Sequence, residues 1–273
     1  MKKITQTQID YIISSYVSSR KSTYDIADEL GISNVTVGKY LRENNIEVSH
    51  QKYKFDEEYF KEINTSNKAY FLGLIYADGC VYPLKNSLAI KLTKEDEYIL
   101  EEFKKDIKST KPLYQRKSEL IKGTSYIGKA QSKIELNSKI LIEDLRKLGV
   151  VQNKSLILTF PDYLPDNFMH DFIRGYFDGD GCIYNSQGRI MLNFTGSEDF
   201  CKGLCSWLET NLDIKVKCKQ DKRGNSWYLY ILRIADVLKF CNYIYQDEQE
   251  LKLIRKFKKF KDYGRNKNII SDS

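Results

Sequence analysis

The chain has 273 residues, of which 41% are hydrophobic and 30% are charged, and its formal net charge is +7. This composition can supply one large hydrophobic core or two smaller ones, and it excludes a mainly disordered, collagen-like or low-complexity chain. The longest apolar stretch, residues 69–77, is too short to cross a membrane, and the first residues lack the apolar segment of a secretory signal. We therefore expect an intracellular protein of the cytoplasm or nucleoid, with reduced cysteines whose spacing does not predict a zinc site.

Positive charge is concentrated near the C-terminus. Residues 252–267 contain eight basic side chains and one acid, Asp262. Such a cluster favours a polyanionic partner such as a nucleic acid. On charge alone, a solvated helix face explains the same cluster equally well.

Residues 1–50 resemble a helix-turn-helix lobe. A helix predicted over 7–17 is followed by a segment in which Ala27 suits a helix crossing, Gly31 can adopt a left-handed conformation and Ser33 can cap the next helix. That next helix would present four side chains to DNA bases and phosphates: Asn34, Thr36, Lys39 and Arg42. The alternative is a three-helix lobe that binds nothing, which agrees with the zero net charge of this segment.

Two segments of the chain repeat each other at a spacing of 102 residues. They are YFLGLIYADGCVY at 70–82 and FIRGYFDGDGCIY at 172–184. In both halves the pattern continues with a strand pair, an apolar helix, a second strand pair and a further helix. The duplicated segment is a helix that ends in Asp-Gly, so each half places one aspartate at a helix end.

These residues resemble the motifs of the LAGLIDADG (DOD-type) homing endonucleases, in the single-chain form with two motif copies, over residues 69–263. The resemblance implies an α+β fold in which two pseudo-symmetric αββαββα halves form a saddle-shaped pair of antiparallel sheets. The all-α lobe precedes them. The expected domains are residues 1–50 for the lobe, 54–160 and 161–263 for the halves, and 264–273 for a tail.

The residue pattern also favours close packing of the two motif helices. Small residues four apart form a stripe along each helix: Gly73 and Ala77, Gly175 and Gly179. This packing would bring Asp78 and Asp180 together, and two adjacent carboxylates repel each other unless a cation lies between them. Oxygen ligands and a phosphate substrate favour Mg²⁺, or Mn²⁺. The predicted metal site consists of both aspartates and the glycines that follow them, Gly79 and Gly181; turn contacts at the helix ends are the alternative.

The resemblance further implies lysines in the active site. The candidates are Lys154 and Lys252, each after the late helix of its half, and Lys94, whose counterpart is Gly196. Such a lysine would polarise the scissile phosphate or hold the attacking water. An ordinary phosphate contact or a solvated surface position is the alternative for each. His50 and His170 receive no predicted role.

A basic sheet face is predicted in the second half. Alternation along 214–219 places Lys215, Lys217 and Lys219 on one face of a strand and apolar residues on the other. The first half has a looser version of this arrangement. The full set of predicted DNA-contacting residues in the sheets is Tyr114, Arg116, Lys117, Lys215, Lys217, Lys219, Lys222 and Arg223. A charged edge that prevents aggregation is the alternative.

By resemblance, the leading hypothesis is a Mg²⁺-dependent, site-specific endonuclease that acts in intron homing on double-stranded DNA. It would be a monomer, with no membrane or small-molecule partner, and each half would cut one strand. One alternative is a non-catalytic DNA-binding transcription regulator with the same fold; another is an intron maturase that binds RNA. Both motif aspartates favour the enzyme, whereas Gly196 in place of a basic residue keeps the regulator open.

Overall fold

The computed structural model describes residues 4–19, 21–48, 53–120, 123–186, 188–222, 224–247 and 250–266. The chain forms two compact units, one of residues 1–55 with 108–111 and the other of residues 56–107 with 112–273. Within the described ranges, no helix combines the length and the apolar character needed to span a membrane.

The N-terminal unit contains three helices: α1 (Gln6–Val17), α2 (Thr23–Leu30) and α3 (Asn34–Glu43). Gly31 ends α2 with φ +62°, and the hydroxyl of Ser33 accepts a hydrogen bond from the backbone N–H of Thr36, so the predicted turn and cap are both observed. The three helices share a buried core of Ile12, Ile26, Ala27, Val37 and Leu41.

The first half of the larger unit begins with a helix that ends at the first motif aspartate. Its elements, in chain order, are α4 (Ser66–Asp78), β1 (Gly79–Tyr82), β2 (Ser87–Thr93), α5 (Glu97–Asp106), β3 (Tyr114–Arg116), β4 (Glu119–Leu120), β5 (Ile127–Gly128), β6 (Gln131–Asn137) and α6 (Lys139–Lys147). Strands β4 and β5 form a separate short hairpin, and the main antiparallel sheet has the order β1-β2-β6-β3.

The second half repeats this arrangement. Its elements are α7 (Asp166–Asp180), β7 (Gly181–Ser186), β8 (Arg189–Gly196), α8 (Glu198–Leu212), β9 (Val216–Gln220), β10 (Trp227–Ile231), α9 (Ile234–Ile244) and α10 (Ile254–Asn266). The antiparallel sheet has the order β7-β8-β10-β9, which corresponds strand for strand to that of the first half. The predicted α+β class with two αββαββα halves is therefore confirmed.

The hydrophobic core lies between the motif helices and the two sheets. Residues 69–76 of α4 are all buried, because this helix packs against both α7 and its own sheet. The central strands contribute matched residues: Ile90 of β2 pairs with Ile134 of β6, and Leu192 of β8 pairs with Ile231 of β10. All four side chains are buried. The sheets are thus anchored to the same helices that end in the motif aspartates.

Candidate active site

The motif helices α4 and α7 pack backbone against backbone. A Cβ atom added to Gly73 would lie 2.1 Å from the carbonyl oxygen of Phe172, and one added to Gly175 would lie 2.0 Å from that of Tyr70. Further along the pair, a Cβ on Gly179 would lie 2.2 Å from the Cβ of Ala77. The stripe of small residues therefore lies at the contact between the helices, where it allows the close approach that larger side chains would prevent.

Asp78 and Asp180 are the last residues of these two helices. Oδ2 of Asp78 lies 3.1 Å from the position of a Cβ on Gly179, the residue before Asp180. Burial raises the pKa of the Asp78 carboxyl. Burial, followed by the negative charge of Asp78, raises the pKa of Asp180 to about 6. The structure thus brings the two predicted carboxylates into one electrostatic environment.

A buried lysine lies at the end of each motif helix. The ammonium of Lys154 donates to the carbonyl oxygen of Ala77 at 2.8 Å. The ammonium of Lys256 donates to the carbonyl oxygens of Phe177 and Asp178, at 2.6 and 2.7 Å, and also to that of Gly181. The two lysines are 7% and 4% exposed. Each ammonium therefore lies at the C-terminal end of a motif helix, where the last carbonyl groups carry the negative end of the helix dipole.

Burial shifts both of these lysines towards the neutral form. It lowers the pKa of Lys154, and it lowers that of Lys256 to about 8. The charge of Asp180 opposes this shift at Lys154, and the charges of Asp178 and Asp78 oppose it at Lys256. The two ammonium groups and the two motif carboxylates consequently form one coupled cluster.

Of the three lysines predicted for the site, Lys154 is the one that the structure brings to a motif helix end. The ammonium of Lys252 instead donates to the carbonyl oxygen of Asp247 at 2.9 Å and lies 4.7 Å from the ring centroid of Phe257. The ammonium of Lys94 forms a 2.7 Å ion pair with Glu97 and is half exposed.

Lys256 was missed by the sequence reasoning, although the repeat contains the signal that identifies it. Lys154 and Lys256 are separated by 102 residues, the same spacing that relates Asp78 to Asp180. The choice of Lys252 relied on its position after a helix rather than on this spacing.

Asp178 breaks the symmetry of the two motif helices. It is 1% exposed and accepts hydrogen bonds from the hydroxyl of Tyr70 at 2.9 Å and from the backbone N–H of Leu253 at 2.7 Å. Burial raises the pKa of its carboxyl to about 6. Its counterpart Tyr76 donates instead to the carbonyl oxygen of Leu148. Each residue therefore ties its helix to the segment that carries the lysine of the same half.

The predicted DNA-facing side chains of the sheets, as far as the described residues go, occupy exposed positions in the strands or beside them. Lys215, Lys217 and Lys219 are all exposed, whereas Ile214 is buried and Cys218 is partly buried, as the alternation predicts. In the first half, Tyr114 is 66% exposed and Lys117 is also exposed. Arg116 pairs with Glu119 at 2.8 Å, which reduces the positive charge there. Lys222 is exposed, and Arg223 lies outside the described residues.

The helix α3 of the N-terminal unit presents a mixed surface. Lys39 and Arg42 are exposed, and Asn34 and Thr36 are partly exposed. The apolar side chain of Val35 is 69% exposed beside them. Lys39 forms a 3.7 Å ion pair with Glu43, and the Thr36 hydroxyl bonds to that of Ser33.

Comparison of the sequence with known families and proteins agrees with this geometry. The profile of the LAGLIDADG-like domain matches residues 167–245. An uncharacterized protein of Methanocaldococcus jannaschii is 25% identical over 206 residues, which are 71% of this chain and 74% of that protein. The profile match covers the second half from within its motif helix to the end of α9.

Comparison with solved structures gives the following similarities. The homing endonuclease I-WcaI, bound to its DNA recognition sequence, superposes with a TM-score of 0.50 at 15% identity and covers 80% of this chain and 92% of its own. Full-length WhiA from Thermatoga maritima gives a TM-score of 0.47 at 18% identity over 80% of this chain, which spans 66% of the WhiA chain. The chain thus carries a LAGLIDADG-like domain in residues 167–245 and shares the fold of I-WcaI.

Proposed function

We propose that this chain is a site-specific endonuclease that hydrolyses one phosphodiester in each strand of double-stranded DNA. The observation that carries this proposal is the cluster of Asp78, Asp180, Lys154 and Lys256 at the ends of two closely packed helices. The shared fold supports it, because I-WcaI is a homing endonuclease that was solved on its DNA recognition sequence.

The donor set of the cluster fits a hard divalent cation. Burial raises the pKa of both motif carboxyls, and the charge of Asp78 also raises that of Asp180, so a nearby cation would stabilise their charged forms. Asp78 and Asp180 would hold Mg²⁺ or Mn²⁺, which when bound supplies Lewis-acid stabilisation and an activated water. The carbonyl oxygen of Gly181 already accepts from Lys256, so we assign the carboxylates rather than the glycine carbonyls as the main ligands.

The two buried lysines would act on the substrate phosphates. Their ammonium groups are fixed by helix carbonyls, so they need little reorganisation when negative charge develops on a phosphate oxygen. Lys256 has a pKa of about 8 and is therefore mostly protonated at neutral pH. We assign Lys154 to one half of the site and Lys256 to the other, and we assign Lys94 and Lys252 no contact with the reacting phosphate.

Two exposed surfaces would hold the target DNA. Lys215, which precedes β9, and Lys217 and Lys219 in β9 would neutralise phosphates of the DNA backbone. Polar residues on the same face of the sheet would contact base edges and so give sequence specificity. The side chains of Asn34, Lys39 and Arg42 on α3 would add a second contact in a major groove. We expect a monomer, because a single chain already contains both halves of the cluster.

The decisive experiment uses the DNA that flanks the gene, joined as in an allele without the insertion. We expect the purified protein to make a double-strand break there with Mg²⁺ and to lose this activity with EDTA. Asp78→Asn and Asp180→Asn should each slow cleavage at least about 100-fold while DNA binding is retained, because the two acids would hold the metal ion that cleavage requires. Asp213→Asn, at a side chain that is 95% exposed, is the matched control. Unchanged cleavage in both motif variants would reject the metal assignment.

A non-catalytic DNA-binding regulator is the second candidate. It is favoured by the two lysines, because their charges partly offset the effect of burial on the motif carboxyls without a bound cation. Tight binding of the target without cleavage, in both Mg²⁺ and Mn²⁺, would support this candidate over the enzyme.

A further inference from the structure

We propose that His170, Asp171 and Glu250 form a transition-metal site, separate from the motif aspartates. Their ligand atoms lie within 4.8 Å of one another. His170 and Asp171 lie in the first half of α7, and Glu250 lies in the segment before α10. Asp180 follows Asp171 by nine positions in the same helix, which corresponds to about 14 Å along the axis.

The distances within the group suit a tetrahedral ion. Nε2 of His170 lies 3.4 Å from Oδ2 of Asp171 and 3.8 Å from Oε1 of Glu250. In a tetrahedral site with ligand bonds of about 2.1 Å, neighbouring ligand atoms are about 3.4 Å apart. Two of the three ligand pairs are close to this spacing, and all three ligand atoms lie within 4.8 Å of one another, so the side chains would move closer together around one ion and leave a fourth position for water.

A second, independent observation also points to a ligand. Asp171 is fully buried, and its Oδ2 has no hydrogen-bond partner in the described part of the chain. Leaving a carboxylate oxygen buried without a partner is energetically costly. An ion bound between Asp171 and His170 would remove this cost.

Arg174 orients both carboxylates towards the imidazole. It is 1% exposed, donates to Oδ1 of Asp171 and lies 3.1 Å from Oε2 of Glu250. One oxygen of each carboxylate is thus engaged, and Oδ2 and Oε1 face His170. Partners that hold the second oxygen of a ligating carboxylate are typical of metal sites.

The ligand types select the class of metal. An imidazole nitrogen with two carboxylate oxygens favours a first-row transition ion such as Zn²⁺ over Mg²⁺ or Ca²⁺. With Arg174 charged, the two carboxylates leave one net negative charge to attract the cation. Arg174 also donates to the carbonyl oxygens of Ile244 and Leu251, at 2.9 and 2.8 Å. Bound Zn²⁺ would therefore tie α7 to the segment that leads to Lys256.

Cobalt binding to the full-length protein tests the site, because tetrahedral Co²⁺ gives a visible spectrum and commonly replaces Zn²⁺. After removal of metals with a chelator, we expect one equivalent of Co²⁺ to bind with a tetrahedral spectrum and without a thiolate-to-metal charge-transfer band. Zn²⁺ should displace it and raise the melting temperature.

Variants assign the signal to the proposed ligands. His170→Ala should weaken Co²⁺ binding at least about tenfold. Glu250→Gln should have the same effect, and because glutamine has nearly the same size and shape as glutamate, it disturbs the packing less than an alanine would. His50→Ala, at the other histidine of the chain, and Asp78→Asn with Asp180→Asn should leave this signal unchanged. Absence of Co²⁺ binding, a thiolate band, or equal binding by wild type and both ligand variants would overturn the proposal. The motif double variant separates this result from the endonuclease proposal.

Discussion

At the level of single residues, the buried lysines are the most informative feature of the cluster. Removing an ammonium group from water is costly, and the lowered pKa values of Lys154 and Lys256 reflect that cost. Both groups are nevertheless retained inside the protein, because helix-end carbonyls accept hydrogen bonds from them and carboxylates lie nearby. The negative ends of two helix dipoles and two acids thus meet two fixed positive charges.

Asp178 makes a testable contribution to the pH dependence of stability. The pKa of the Asp178 carboxyl is about 6 in the folded protein, above its ordinary value of 3.8. Between pH 3.8 and pH 6, the folded state therefore binds more protons than the unfolded state. Its contribution to stability is full below pH 3.8 and is lost as the pH rises through 6. In urea unfolding, we expect the stability of wild type relative to Asp178→Asn to fall by about 3 kcal/mol across this window.

The matched control for this measurement is Asp213→Asn, because that side chain is 95% exposed. This substitution removes a carboxyl from the surface and leaves the buried carboxyl of Asp178 in place. A wild-type curve parallel to that of Asp178→Asn would show that the buried carboxyl does not titrate with folding.

At the level of elements, the duplicated motif was sufficient to predict both motif helices and the strand pairs that follow them. Local patterns could not give the ends of the strands, and β3 is limited to the three residues Tyr114–Arg116. The contacts of Asp178 and Arg174 could not be predicted either, because their backbone partners, which include Ile244 and Leu253, lie far from α7 in the sequence. Such contacts join residues about 70 positions apart and leave no periodic signal.

The close packing of α4 against α7 predicts a strong penalty for one methyl group. Gly73→Ala would place a Cβ 2.1 Å from the carbonyl oxygen of Phe172, so the helices must separate. We expect a loss of more than about 3 kcal/mol in the free energy of unfolding, even though alanine favours helix formation. Gly38→Ala in α3 is the control, because its nearest neighbour would lie 3.6 Å away. Chemical denaturation of the two variants should give opposite signs, and equal effects would contradict the packing argument.

At the level of the whole molecule, the two halves share a topology but differ in charge and in their site residues. In the second half, Lys215 precedes β9 and two further exposed lysines lie in that strand. In the first half, the positive charge of Arg116 in the corresponding strand is paired with Glu119. Gly196 stands in the second half where Lys94 stands in the first, and Asp178 stands where Tyr76 does. A DNA target held by both halves would therefore have two unequal half-sites, and the second half should contribute more of the electrostatic affinity.

This asymmetry leads to a prediction about the salt dependence of DNA binding, which rests on the proposed function. Each phosphate neutralised by a lysine contributes about 0.9 to the slope of log K against log salt. Replacing Lys215, Lys217 and Lys219 by serine should therefore reduce the slope by up to about 3 and weaken binding to all sequences. The control replaces three other exposed lysines, each in a side-chain ion pair: Lys61, Lys105 and Lys139. It makes the same change in net charge, so equal slopes for the two triple variants would mean that β9 does not lie against the DNA.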